Sequence, residues 1–289
     1  HIKRRNYLMA KKVKKEDMSF MDHLEELRWM LVRSAAAVII SATVVFFFSD
    51  FIFDKVIFGP IDPNFISYQL SCDLSHYFGY DNTICATEFP FIIQNTDMEG
   101  QISILIWACI TAGFIFAFPY ILFLLWGFIS PALYKNEKKN AARFIIVSSL
   151  LFFLGVLFGY FIIVPMSINF FATFQVSAIV KNQFTVDSYI SMIKTSVIAC
   201  GLFFELPIII YFLSKLGLVT PEFLRNYRKY SIVIILIVAA IVTPPDVVSQ
   251  VIVSIPMMII YELSIYISVF VNKNKLKNYG TLKSNKKSR

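Results

Sequence analysis

The residues of this chain best equipped for chemistry are four glutamates, because a carboxylate accepts strong charge-assisted hydrogen bonds from cations. Glu26 lies in Ser19-Phe20-Met21-Asp22-His23-Leu24-Glu25-Glu26-Leu27-Arg28. Ser19 and Asp22 form a capping-box-like start there, and Phe20, Leu24, Leu27 and Leu31 recur at helical spacing, which predicts an amphipathic helix. Asp22 and Glu26 stand at i,i+4 and repel each other, so a cationic partner would relieve the pair; the plain alternative is a solvated acidic face paired with Arg28 or the basic tail. Glu137 is the acid among Lys135, Lys138 and Lys139, where a surface ion pair is the alternative. Glu205 sits in Gly201-Leu202-Phe203-Phe204-Glu205-Leu206-Pro207 with no charge beside it, and Glu262 follows Tyr261 at the edge of an apolar run. A further cluster, Thr243-Pro244-Pro245-Asp246-Val247-Val248-Ser249-Gln250, predicts a turn forced by Pro244 and Pro245, with Asp246 capping the next helix. Ser249 and Gln250 then offer polar side chains to another helix or to an internal partner.

None of these groups adds up to an enzyme. There is no HExxH, no GxSxG and no Gly-rich phosphate loop, and His1, His23 and His76 are scattered. No metal-ligand spacing appears among the four cysteines, and no cofactor motif is present. With 57% hydrophobic and 16% charged residues over 289 positions, the chain departs from soluble usage, and 30 Phe against 10 Gly points to a lipid solvent. A water-soluble enzyme is excluded. The net charge of +8 is dispersed along the chain rather than gathered in one patch, so nucleic acid is not an expected partner.

Charged residues mark out the elements that must position the glutamates. A helix needs about 20 apolar residues to cross a bilayer core, and six stretches meet or approach that. They run from Ser34 to Ser49, from Gln101 to Tyr134 with a bend expected at Pro119 and a stop near Ser130-Pro131, from Phe144 to Pro165, from Tyr189 to Ser214, from Tyr230 to Pro245 and from Val247 to Tyr261. The last two are short. Met166–Val180 reads as interfacial. Of 27 Lys and Arg, 24 fall in the N-terminal segment through Arg33, between spans two and three, between spans four and five, or in the tail. Under the positive-inside rule both termini are then cytoplasmic, and the segment Asp50–Gly100, with eight acids and one Lys, is external. His1–Lys15 lacks the long apolar core of a secretory signal. Residues 1–18 are read as a basic cytoplasmic segment, 19–271 as the membrane domain and 272–289 as a basic tail beside lipid headgroups.

In combination and in this order, HLEELR at His23–Arg28, SPALYKNEKK at Ser130–Lys139, FELP at Phe204–Pro207 and TPPDVVSQ at Thr243–Gln250 resemble the TatC family, the core subunit of the twin-arginine protein translocase. The resemblance covers roughly Phe20–Val271. It implies an all-α polytopic membrane protein of six transmembrane helices in a concave, glove-like bundle, within a multimeric complex of a bacterial inner membrane or an organellar one. It also implies twin-arginine signal peptides of folded cargo as ligands, TatA/TatB-type single-span subunits as partners, and transport driven by the proton-motive force. By motif position, Glu26 and Glu137 would be the signal-binding carboxylates, Glu205 an intramembrane acid, and Thr243 with Gln250 part of the partner-docking region. Pro60, in Phe58-Gly59-Pro60, matches a family proline in the first external loop. That loop departs from the pattern: it is enlarged by about Tyr68–Asn82.

Independently of the resemblance, an external face favours oxidation, and Cys72 and Cys85 share the enlarged loop, so a disulfide between them is expected. Two other readings compete: a secondary transporter with Glu205 as proton relay and Lys194 on nearly the same helical face, and a scaffold without cargo recognition. The first predicts an inverted repeat between halves, and the sequence contains no convincing one.

Overall fold

The computed structural model describes residues 20–77, 91–129, 141–177, 182–243 and 247–287. Nearly all of this is helix. Helix α1 spans Phe20–Phe46; α2, Ile66–Tyr77; α3, Gly100–Ile129; α4, Ala141–Phe158; and α5, Val164–Thr173. They are followed by α6 (Val186–Phe203), α7 (Leu206–Leu216), α8 (Pro221–Asn226), α9 (Arg228–Val242) and α10 (Val247–Lys287). Two three-residue strands, β1 (Ile92–Gln94) and β2 (Gln183–Thr185), pair in parallel with Ile93 opposite Phe184. The predicted external segments before span two and before span four therefore lie together.

Among the described residues, five helical stretches are long and apolar enough to cross a membrane: His23–Phe46, Gly100–Ile129, Ala142–Thr173, Val186–Leu216 and Ser249–Lys273. The predicted fifth span is α9, whose 15 residues reach only about 22 Å at 1.5 Å per residue.

Three boundaries differ from the sequence reading. Helix α1 carries the predicted surface helix and the first span as one element, since no Gly or Pro interrupts Phe20–Phe46. The third span does not end at Pro165. A wide π-helical turn at Gly159–Ile163 precedes it, and Pro165 enters in the first turn of α5, where a missing N–H costs little. The sixth span is not short, and Glu262 does not end it: α10 runs on to Lys287, and Glu262 pairs with Arg228 at 2.8 Å.

The chain falls into two compact units. One comprises residues 1–47 and 109–149, hence α1, most of α3 and the first turns of α4. Within it α1 and α3 approach at backbone range, since a Cβ on Gly113 would stand 2.6 Å from the Ala42 nitrogen. The other unit comprises residues 48–108 and 150–289. Its core gathers Ile163, Cys200, Ile210, Ala239, Val253 and Met257 from five helical segments. Gly155 and Gly159, a GxxxG pair, let α4 and the π turn sit directly on the α6 backbone: their Cβ atoms would lie 2.5 Å from the Cys200 carbonyl and 2.9 Å from that of Ser196. Small residues substitute here for the hydrophobic drive that lipid removes.

Candidate functional site

Glu26 stands on the second turn of α1, half-buried, while its neighbour Glu25 is exposed. One of its carboxylate oxygens, Oε2, is buried and has no hydrogen-bond partner among the described residues. A buried acceptor without a donor is costly. Its surroundings are fixed by aromatic contacts. The His23 imidazole, three residues earlier, stacks on Phe128 at 4.3 Å between centroids, and Trp126 packs on Phe144 at 4.7 Å. The start of α1, the end of α3 and the start of α4 thus meet at one end of the first unit. Glu137 belongs to the connection between α3 and α4 and lies outside the described residues.

Glu205 is 5% exposed and occupies the break between α6 and α7. Pro207 explains the break: it has no N–H to bond the Phe203 carbonyl, so α6 stops and α7 begins with Pro207 in its first turn. The Glu205 carbonyl accepts the amides of Ile208 and Ile209, which starts α7. The carboxyl is therefore held at a helix discontinuity within the fourth stretch. Lys194, eleven positions before it in that stretch, lies 5.3 Å over the Trp107 ring, a cation–π contact that holds its ammonium.

Thr243 and Gln250 lie on either side of the turn whose Pro244, Pro245 and Asp246 fall outside the described residues. Both bond inside the chain. Thr243 Oγ1 donates to the Ala239 carbonyl at 2.8 Å, and Gln250 Nε2 donates to the Leu236 carbonyl at 3.1 Å, joining α10 to α9.

Pro60 is fully buried in a 3-10 turn, Gly59–Ile61, directly after a π turn at Ile52–Ile57. Three tyrosines that sequence reasoning passed over hold this region. Tyr160 donates to the Val56 carbonyl at 2.6 Å, Tyr189 to Ile57 at 2.6 Å, and Tyr68 to Pro60 at 2.9 Å and Pro165 at 3.4 Å. Burial pushes the Tyr68 phenol well above its ordinary pKa. No local signal betrays these contacts, because Tyr160 and Tyr189 reach carbonyls 104 and 132 positions away. Cys72, on α2, is disulfide-bonded, whereas Cys109 and Cys200 are free; Cys85 lies outside the described residues.

Comparison with known proteins agrees with this architecture. The family described as Sec-independent protein translocase protein (TatC) matches residues 22–256. The Sec-independent protein translocase protein TatC of Blattabacterium sp. subsp. Periplaneta americana (strain BPLAN) is 42% identical over 265 residues, 91% of this chain and 100% of the relative. That of Aquifex aeolicus (strain VF5) is 36% identical, over 89% of this chain and 98% of the relative. A crystal structure of a twin arginine translocase receptor, TatC, superposes with a TM-score of 0.67 at 34% identity, covering 86% of this chain and 99% of that one. With four-fifths of its length matched by the family and near-complete coverage of its relatives, this multispan membrane chain belongs to the TatC family and is a component of Sec-independent protein transport rather than an enzyme.

Proposed function

We propose that this chain is the receptor subunit of a twin-arginine translocase, binding twin-arginine signal peptides of folded precursors through Glu26 and Glu137 for transport driven by the proton-motive force. The observation that carries the reading is the buried, unsatisfied Oε2 of Glu26 beside the His23–Phe128 stack. Phe128 is the penultimate residue of α3, directly ahead of the connection that contains Glu137, and that chain order supports assigning the two carboxylates to one site. Each takes one guanidinium, whose planar fork matches a carboxylate in a way a lysine ammonium does not.

The remaining parts follow from this reading. Six spans leave both termini cytoplasmic in a bacterial inner membrane, with α9 as the short fifth span. TatA/TatB-type single-span subunits dock at the α9–α10 turn around Thr243 and Gln250, where a helix of about 22 Å against a core of about 30 Å thins the bilayer. Glu205 offers a buried carboxyl at the discontinuity of span four, used in transport rather than folding. Cys72 pairs with Cys85 across the enlarged external loop. The test is capture of a twin-arginine precursor by the purified chain, alongside its twin-lysine version. Selective retention of the arginine form is expected; equal retention, or none, contradicts the receptor reading.

A further inference from the structure

Helix α9 is too short to cover the first turns of α6. Ser196 Oγ donates to the Val242 carbonyl at 3.3 Å, and one turn further along each helix Cys200 shares the core with Ala239. Helix α9 therefore runs back along the later part of α6 and ends at the level of Ser196. Residues Val186–Thr195, about 15 Å of helix, reach past that end. A cavity of about 580 Å³ lies there, bounded by α6, by Ile241 of α9, and by Phe91, Phe171 and Phe184 from before β1, from α5 and from β2. All of these belong to the second unit.

Polar side chains on the cavity wall fall into two groups. Ser188, Tyr189 and Thr243 donate to carbonyls of the chain, those of Thr185, Ile57 and Ala239. Asp187, Ser191 and Thr195 stand at i, i+4 and i+8 on α6, so they form one stripe, and among the described residues their side chains have no hydrogen bond or ion pair. A carboxylate takes a cation, and the hydroxyls that follow it donate to anionic oxygen. Near the carboxylate, Phe184 meets Phe91 at 5.1 Å and 70° and Phe171 at 6.5 Å and 65°, a concave aromatic corner of the kind that attracts ammonium groups. Beyond Thr195 the surface turns apolar. Ile241, Ile237 and Ile234 are 70%, 54% and 58% exposed and run down one side of α9, in which no polar residue occurs from Ile232 to Val242.

Along one direction the protein thus offers a cation site, then hydroxyl donors, then an apolar row, which is the order of ammonium, phosphate and acyl chain in a zwitterionic phospholipid. The step of about 6 Å from Asp187 to Ser191 suits the short link between ammonium and phosphate. An anionic headgroup fits less well, because Asp187 repels it and Lys194, which does not line the cavity, is held over Trp107. We propose that this cavity binds a phospholipid with an ammonium headgroup, such as phosphatidylethanolamine: the ammonium sits between Asp187 and the phenylalanine rings, the phosphate accepts from Ser191 and Thr195, and the chains lie along the isoleucine row of α9. The inference does not depend on signal-peptide binding.

The full chain in dodecyl maltoside micelles tests it. Phosphatidylethanolamine with a fluorescent acyl chain is bound, then displaced by unlabelled phosphatidylethanolamine, by phosphatidylglycerol of the same chains, or by soluble phosphoethanolamine. The parent should release the probe to phosphatidylethanolamine at a concentration about fivefold lower than to phosphatidylglycerol, and soluble phosphoethanolamine should displace little. Asp187→Asn should abolish that preference with the unfolding temperature near the parent's, since Asp187 is exposed. Ser191→Ala combined with Thr195→Val should weaken both lipids alike, because they share the phosphate. Equal displacement by the two lipids in the parent, or a preference that survives Asp187→Asn, would overturn the proposal. So would the absence of saturable binding, which would leave the cavity to a partner helix, or displacement by soluble phosphoethanolamine as effective as by the lipid, which would make the ligand a free headgroup.

Discussion

At one end of the first unit a glutamate oxygen is buried without a donor, whereas around Pro60 in the second unit three tyrosine hydroxyls each reach a backbone carbonyl. Both regions bury polar atoms, and the difference is in who completes the hydrogen bonds. Around Pro60 the fold completes its own, which makes the region a fixed structural clamp. At Glu26 the described fold leaves one bond open, which suits a site completed by a ligand. Ser149 Oγ and Ser167 Oγ also lack a partner among the described residues, so what sets Glu26 apart under the receptor reading is that its open acceptor is a carboxylate oxygen.

Charge reversal should separate the two regions most sharply. Glu26→Lys or Glu137→Lys replaces an acceptor by a repelling cation, and precursor binding should fall by more than about tenfold, the equivalent of a lost charge-assisted bond worth roughly 1.5–3 kcal/mol. Thermal unfolding should stay near that of the parent, as measured side by side with binding; unchanged binding in both variants removes the receptor assignment.

Glu205 is an intermediate case, a buried carboxyl at a helix break that belongs to neither region. Glu205→Leu should reduce precursor export strongly while insertion and precursor binding persist, and Glu205→Gln, which keeps hydrogen-bonding capacity, should export better. Wild-type export by Glu205→Leu would show that the carboxyl has no part in transport.

The clamp should respond in the opposite sense to the receptor. Tyr189→Phe leaves the Ile57 carbonyl without its donor, a loss of about 1–3 kcal/mol, read as a lower unfolding temperature in detergent with precursor affinity unchanged. A weaker grip on precursor at unchanged stability would mean that the two regions are not distinct in kind. The smallest effect is expected at Gln250, whose bond to Leu236 joins two helices. Gln250→Leu should cost about 0.5–1.5 kcal/mol of stability, while cysteines at Thr243 and Gln250 should cross-link to a single-span partner; no cross-link anywhere along this turn would move docking elsewhere.

Much of this arrangement can be read from the chain before folding. The spans follow from where charges stop, and FELP announces a break because Pro207 cannot donate to the preceding turn. Pro165 misleads by the same logic: a π turn ahead of it absorbs the missing bond, and π turns carry no clear residue signature. The uninterrupted α1 was legible in its lack of Gly and Pro, and the GxxxG at Gly155 and Gly159 advertises close helix contact in one-letter code. The tyrosine clamp is different in kind, since a phenol and a carbonyl more than a hundred residues apart share no local pattern. Glu26 was singled out by sequence for its acidic neighbourhood; only the fold distinguishes its half-buried carboxyl from the exposed one of Glu25.

That distinction supplies the most direct test. The affinity of the purified chain for a twin-arginine precursor should be measured for Glu25→Ala and Glu26→Ala, with the twin-lysine precursor as reference. Glu26→Ala should lose about tenfold or more and bring the arginine form down toward the lysine form, while Glu25→Ala stays close to the parent. Equal losses in the two variants would mean that α1 presents a diffuse acidic patch, and would contradict the claim that one open hydrogen bond at Glu26 makes the receptor.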